Sequence, residues 1–259
     1  MRHVAGDASR RSWIAPAHAD GSAYWPGGGV VTGDEVHLFL GRVVPEAPFG
    51  RLLDRAVATL ALPDLHVVKV SPLPFGPADP GWGASVISPG DGFLYVYGAD
   101  RDDCDWCFAT DIYVARVPTG WVGVEDAWNY WDGGGWSDDR RAAKPVMAGG
   151  GAHVNVQPWR GGWLAISKEG DIVTPNIAGW WAPSPAGPWT PLGTLYVVPP
   201  VGSADSYSYM TNVVPRAGGD RAMVSYNVGT LSESESNRNA ALYGPRFVAI
   251  DIPFVSGMS

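Results

Sequence analysis

Charge is scarce in this sequence. Asp, Glu, Lys and Arg together make up 17% of the 259 residues, and 18 basic side chains stand against 26 acidic ones. A phosphate backbone is bound by a clustered Lys/Arg face. The net charge of −8 and the scatter of the bases therefore argue against a nucleic-acid partner, and the pair Arg10 and Arg11 is too short to change this. Long apolar runs are missing too. Nothing approaches the ~20 residues of a membrane-spanning helix, and the opening MRHVAGDASRRSW has no apolar centre of the kind a secretory signal carries. Cysteine occurs twice, as Cys104 and Cys107 in CDWC. No second CxxC and no HxxxH accompanies it, so four zinc ligands cannot be assembled. The acidic loop around it would raise a thiol pKa, against a redox pair. A local disulfide or two idle thiols remain, and no metal or cofactor is expected. There is no Gly-x-Ser-x-Gly elbow. Gly27 to Gly29 precede a strand with no Lys-Ser/Thr after them, which excludes a phosphate loop. No stretch of ten or more residues keeps a 3.6-residue apolar period, which points away from helices.

What the chain does have is 34 Gly, 23 Pro and 13 Trp, and they recur in an order. YWPGGGVVTGDEVHLFLGRV starts at Tyr24, WGASVISPGDGFLYVYGAD at Trp82, HVNVQPWRGGWLAISKEGD at His153 and YMTNVVPRAGGDRAMVSYNV at Tyr209. Each reads as a short strand of small or polar residues, a Gly-rich turn that needs positive φ, and an apolar strand. Trp25 and Trp82 are 57 residues apart, as are Asn155 and Asn212. A third strand follows each hairpin, from Ala56, Thr110, Ile177 and Arg246, and a fourth follows two of them, from His66 and Thr194. Four antiparallel strands per unit at this period make a propeller blade. The chain is read as all-β, a β-propeller of the five-bladed type with four blades recognisable. Residues 1–12 read as a disordered or linker N-terminus and 13–259 as a single propeller domain. In GWWAPSPAGPWT, from Gly179, Pro and Gly shape the turn into a fourth strand. Trp181 and Trp189 are expected to pack between blades.

The first strand of each blade lines the channel of a propeller, and ligands bind at its mouth. Here those strands carry Tyr24 and Trp25; Trp82 and Ser85; His153, Asn155 and Gln157; and Tyr209, Thr211 and Asn212. Amides offer fixed donors and acceptors to hydroxyls, and aromatic rings stack on the apolar faces of sugars. Tyr24, Trp25, Trp82, His153, Asn155, Tyr209 and Asn212 are accordingly expected to bind a poly- or oligosaccharide. The plainer alternative is that they bond to one another and plug the channel. Carboxylates precede these strands: Asp20, Asp79 and Asp205. Glu169 follows a second strand, whose loop returns to the mouth face. Glycoside hydrolysis needs two facing carboxylates. Asp79 and Asp205 are the first candidates for acid and base, with Asp20 and Glu169 in reserve. The competing reading for each is an Asp that starts a turn in solvent.

The segments YWPGGGVVTGDEVHLFLGRV, WGASVI with FLYVYGAD, SPAGPW, and VSYNVGTL with YGPRFVAIDI together resemble the actinobacterial domain of unknown function 4185 family, grouped as family 183 glycoside hydrolases. Its members are endo-D-arabinanases that cut mycobacterial-type cell-wall arabinan. The resemblance spans about Trp13 to Pro253. It implies a five-bladed propeller acting on a furanosyl cell-wall polysaccharide, at an extracellular or cell-envelope location. The chain itself is expected to be a monomer. The resemblance also implies that the family's first blade is lacking here, and with it a catalytic carboxylate. The alternative function is a non-catalytic carbohydrate-binding propeller, which needs amides and aromatics but no facing acids.

Overall fold

In the computed structural model the described residues are 14, 18–44, 46, 50–101, 109–201, 205–214, 221–232, 242 and 244–258. The expected N-terminal linker and both cysteines lie outside them. The strands form four antiparallel meanders. In the first blade, β1 (Ala23–Thr32), β2 (Glu35–Val44), β3 (Arg51–Ala61) and β4 (His66–Pro72) pair in chain order. The second blade begins with β5 (Ser85–Ile87), β6 (Phe93–Arg101) and β7 (Thr110–Pro118). Its outer edge is irregular: β8 (Asn129–Trp131), followed by β9 (Trp136–Ser137), pairs with one end of β7, and β10 (Met147–Gly150) with the other. The fourth-strand place is thus shared by two short strands, because residues 132–146 form an excursion between them. The third blade is β11 (Val154–Trp159), β12 (Gly162–Lys168), β13 (Asn176–Ala182) and β14 (Thr190–Val197). The fourth, among the described residues, is β15 (Ser206–Val214), β16 (Arg221–Thr230) and β17 (Arg246–Asp251).

The edge strands β1, β5, β11 and β15 lie beside one another in chain order. This is the β-propeller expected from the recurring hairpins, and all four expected inner strands occupy the inner position. Alternation along each strand sends side chains to opposite faces, so a central strand contributes to two inter-blade cores. Trp180 joins Tyr97, Ile112 and Val114 of the second blade, while Trp181 joins Val224 and Tyr226 of the fourth. The hairpin after β13 clasps its neighbour as well: Tyr97 Oη donates to Pro185 O (2.8 Å) and packs edge-on to Trp189. The Trp- and Pro-rich stretch is inter-blade packing. Between the first two blades Phe39 is sealed against Trp82 and Leu94, a burial worth ~1.5–3 kcal/mol.

Close approach of the inner strands requires small residues. Gly28 N–H donates to Gly83 O at 2.6 Å, and a Cβ on Gly28 would lie 2.9 Å from Ser85 Cα. Gly83 has φ +98, and a Cβ there would strike the Phe39 ring. Neither backbone can retreat without opening the interface. Gly28→Ala should therefore lower stability by ~1–3 kcal/mol, the usual cost of overpacking. Gly123→Ala, where a Cβ meets nothing within 4 Å, should leave it within ~0.5 kcal/mol. Urea melts of both variants check this, and an unaltered Gly28→Ala midpoint would show that the two blades are not held at this contact.

Candidate functional site

A cavity of about 1060 Å³ opens where the inner strands begin, and residues of all four blades line it. Its wall includes Trp25 and Arg55 from the first blade, Asp79, Trp82, Asp100 and Thr110 from the second and its entry loop, His153 from the third and Met210 from the fourth. The volume lies at the upper end for small-molecule sites.

The segment before β5 is laid down by backbone bonds along β6. Gly81 N–H donates to Ala99 O (2.7 Å), and Gly83 N–H to Tyr97 O (3.0 Å). Asp79 and Asp100 therefore flank one backbone hydrogen bond and enter the cavity from adjacent segments. Asp79 Oδ2 accepts from Gly76 N–H (2.8 Å), and Oδ1 faces Arg140 Nη1 at 3.4 Å. Trp82 is 2% exposed, and its indole N–H is sealed without a partner. Trp25, by contrast, is 55% exposed, an open aromatic face at the rim.

His153 is placed by its own blade. Ser167 Oγ on β12 accepts from Gly151 N–H (2.9 Å) and donates to His153 O (2.7 Å). The ring then reaches the fourth blade, with Nε2 3.0 Å from Asn212 Oδ1. Asn212 directs Nδ2 to Met210 O (3.4 Å), which turns Oδ1 toward the imidazole. Nε2 therefore carries the proton, and Nδ1 is left as an acceptor. Burial pushes the His153 pKa below its ordinary value, opposed by the Asn212 bond and by Asp171. The ring is neutral at neutral pH.

The other expected site residues go elsewhere. Tyr24 alternates away from Trp25, onto His18 and the outer apolar cluster of the first blade. Asn155 Oδ1 accepts from Val213 N–H (3.1 Å) and ties the third blade to the fourth. Tyr209 packs on Tyr207, with ring centroids 5.6 Å apart. Asp20 caps its own turn through Ser22 and faces Arg42. Glu169 is exposed and accepts from Asn176 Nδ2 (2.9 Å) and Thr194 Oγ1 (3.3 Å). Asp205 is exposed at the start of β15. The structure brings Trp25, Asp79, Trp82 and His153 together, and it does not bring Asp205 to Asp79 in this cavity.

Among the wall residues that escaped sequence reasoning are Arg55, Asp100, Thr110 and Met210. Arg55 had a legible signal, as a lone cation inside the apolar strand LLDRAVATLAL. Met210 reaches the wall at a β-bulge, with φ +51, which no spacing rule reveals.

The model of the domain of unknown function DUF5005 matches residues 3–252. The chain belongs to the DUF5005 family. This corrects the expected membership of the domain of unknown function 4185 family. The segments that suggested it encode turn glycines and the strands flanking them, and those constraints belong to propeller hairpins in general. Among curated proteins, none matches the sequence. The DUF5005 chain does resemble solved propeller hydrolases. A protein of Bacteroides ovatus ATCC 8483 described as a hydrolase superposes with TM-score 0.67 at 19% identity, over 88% of this chain and 61% of that one. A GH43_1 enzyme from Xanthomonas citri complexed with xylose gives 0.54 at 17%, over 92% and 70%. A GH32 beta-fructofuranosidase from Bombyx mori gives 0.55 at 12%, over 88% and 46%. These likenesses establish the shared fold, and this chain spans about 61% of the length of the first neighbour. No helix among the described residues is long and apolar enough to cross a membrane.

His153 gives a pH test of this geometry. Above ~6.5, the ordinary His value, folded and unfolded states are both neutral at this ring. Below it the unfolded chain takes up a proton that the folded ring resists, so stability falls as pH falls. His37 is lowered by burial as well and adds a loss of the same sign. Thermal melts from pH 7.5 to 5.5 should show a declining midpoint in the parent and a shallower decline in His153→Gln. Equal slopes would mean that the ring titrates normally.

Proposed function

We propose that this protein is a glycoside hydrolase acting on a furanosyl-containing polysaccharide. The observation that carries the reading is the mouth cavity itself, where an exposed Trp25 face, the neutral acceptor of His153 and two carboxylates meet across the blades. Aromatic faces hold sugar rings, and fixed polar atoms choose among hydroxyls. The names of the solved neighbours, among them a beta-fructofuranosidase and a xylose complex, support a carbohydrate substrate for the same architecture. The arabinan expectation rested on the corrected resemblance and loses that support.

Asp79 and Asp100 are the pair assigned to the chemistry. Among the described residues they are the two carboxylates in the cavity wall, on adjacent segments. Asp79 is held as an acceptor by Gly76 N–H and Arg140, which suits a base or nucleophile. Asp100 is then the proton donor to the leaving oxygen. Asp205, Asp20 and Glu169 sit outside this wall and are not assigned to it. A second reading is a carbohydrate-binding propeller without turnover, favoured by the many local bonds that occupy the other rim acids.

Reducing-sugar release from fructan, arabinan and a glucuronate-bearing arabinoxylan tests the two. The parent is expected to hydrolyse at least one, and Asp79→Asn and Asp100→Asn to lose about 100-fold or more in rate while still binding that polymer in affinity electrophoresis. Binding by the parent without any release would favour the second reading. Full activity in both variants would remove the assignment.

A further inference from the structure

Arg55 is the least compensated charge in the cavity wall. It stands in β3 beside the buried Ala56 and Val57 and is itself half-buried. Its Nε is sealed from solvent with no hydrogen-bond partner, and among the described residues its guanidinium closes no ion pair. Buried cations are ordinarily paired, so this one needs an explanation. The nearby carboxylate that acts on it is Asp79, but Asp79 is already occupied. One oxygen accepts from Gly76 N–H, and the other faces Arg140, which also bonds Pro74 O and approaches Glu125. Asp100 has a partner of its own. His153, across the cavity, is neutral and adds no charge. Two guanidinium groups thus share Asp79, and the one inside the cavity has the weaker hold. Burial correspondingly works against its protonated form.

A guanidinium donates only, in a planar fork that matches an anionic group of two or three oxygens. A neutral hydroxyl could accept one N–H but would leave the charge uncompensated. We infer that Arg55 binds an acidic group on the glycan, a uronate carboxylate or a sulfate ester, so that the cavity selects acidic over neutral saccharides. This rests on the cavity being a carbohydrate site, and it names the class of carbohydrate.

The test follows the Arg Nε–H resonances of the ¹⁵N-labelled full chain, with that of Arg55 assigned by its loss in Arg55→Lys. Titration with glucuronate, glucose and inorganic sulfate is compared. The Arg55 signal should shift saturably with glucuronate, at concentrations at least tenfold below any response to glucose, and the shift should weaken with added NaCl. Sulfate acting more strongly than glucuronate would assign the group to a sulfate ester, and the reverse to a uronate. By isothermal titration calorimetry, Arg55→Gln should abolish the preference for glucuronate over glucose, and Arg55→Lys should keep part of it. Equal responses to glucose and glucuronate, or no response of Arg55 to either anion, would overturn the inference. Anion binding in a chain that retains no acidic or neutral polysaccharide in affinity electrophoresis would leave the Arg55 site standing and remove the carbohydrate reading beneath it.

Discussion

The inner strand of each blade is a sheet edge with backbone donors aimed at the axis, and the structure depends on how those donors are met. Gly28 N–H goes to Gly83 O, Val156 N–H to Ser85 Oγ, and Val213 N–H to Asn155 Oδ1. Each joins one blade to the next. A buried amide without a partner would cost ~1–3 kcal/mol, so these contacts also fix register between sheets that share no ladder. They explain why residues near the axis are small or carry a single acceptor. Bulkier side chains would push the edges apart, and apolar ones would leave the donors unmet.

The same requirement shapes the site. Once the inner strands are close at the axis, the segments leading into them have to splay apart at the mouth. The entry to β5 and the entry to β11 then become the walls of one cavity. Polar residues near the axis divide into two roles. Asn155 is consumed by the inter-blade bond, whereas His153, two positions earlier, is turned by Asn212 so that one ring nitrogen stays available.

The acids at the rim follow a similar division. Asp20 and Glu169 are acceptors for their own loops, as short polar side chains near turns commonly are. Asp79 also holds a loop, through Gly76, but does so from within the cavity. Chain position before an inner strand was therefore a poor guide to what the carboxylate meets.

The recurring hairpins, their turn glycines and the 57-residue spacing determined the fold class and the four inner strands, because period-2 apolarity and positive-φ turns are local constraints written residue by residue. The same local character misled the family reading: turn glycines specify a hairpin and not a lineage. Tertiary structure decided which polar residues meet. Arg55 and Asp79 come from different blades, as do His153 and Asn212, and which of them come near one another depends on how sheets pack at the axis. Met210 enters the wall because a bulge reverses the alternation of β15. Asp100 reads in the sequence as one residue of an apolar strand, and the bond between Gly81 and Ala99 brings its segment alongside that of Asp79. Such contacts join residues far apart in the chain, and their geometry is fixed by the packing of whole blades, which no sequence spacing encodes.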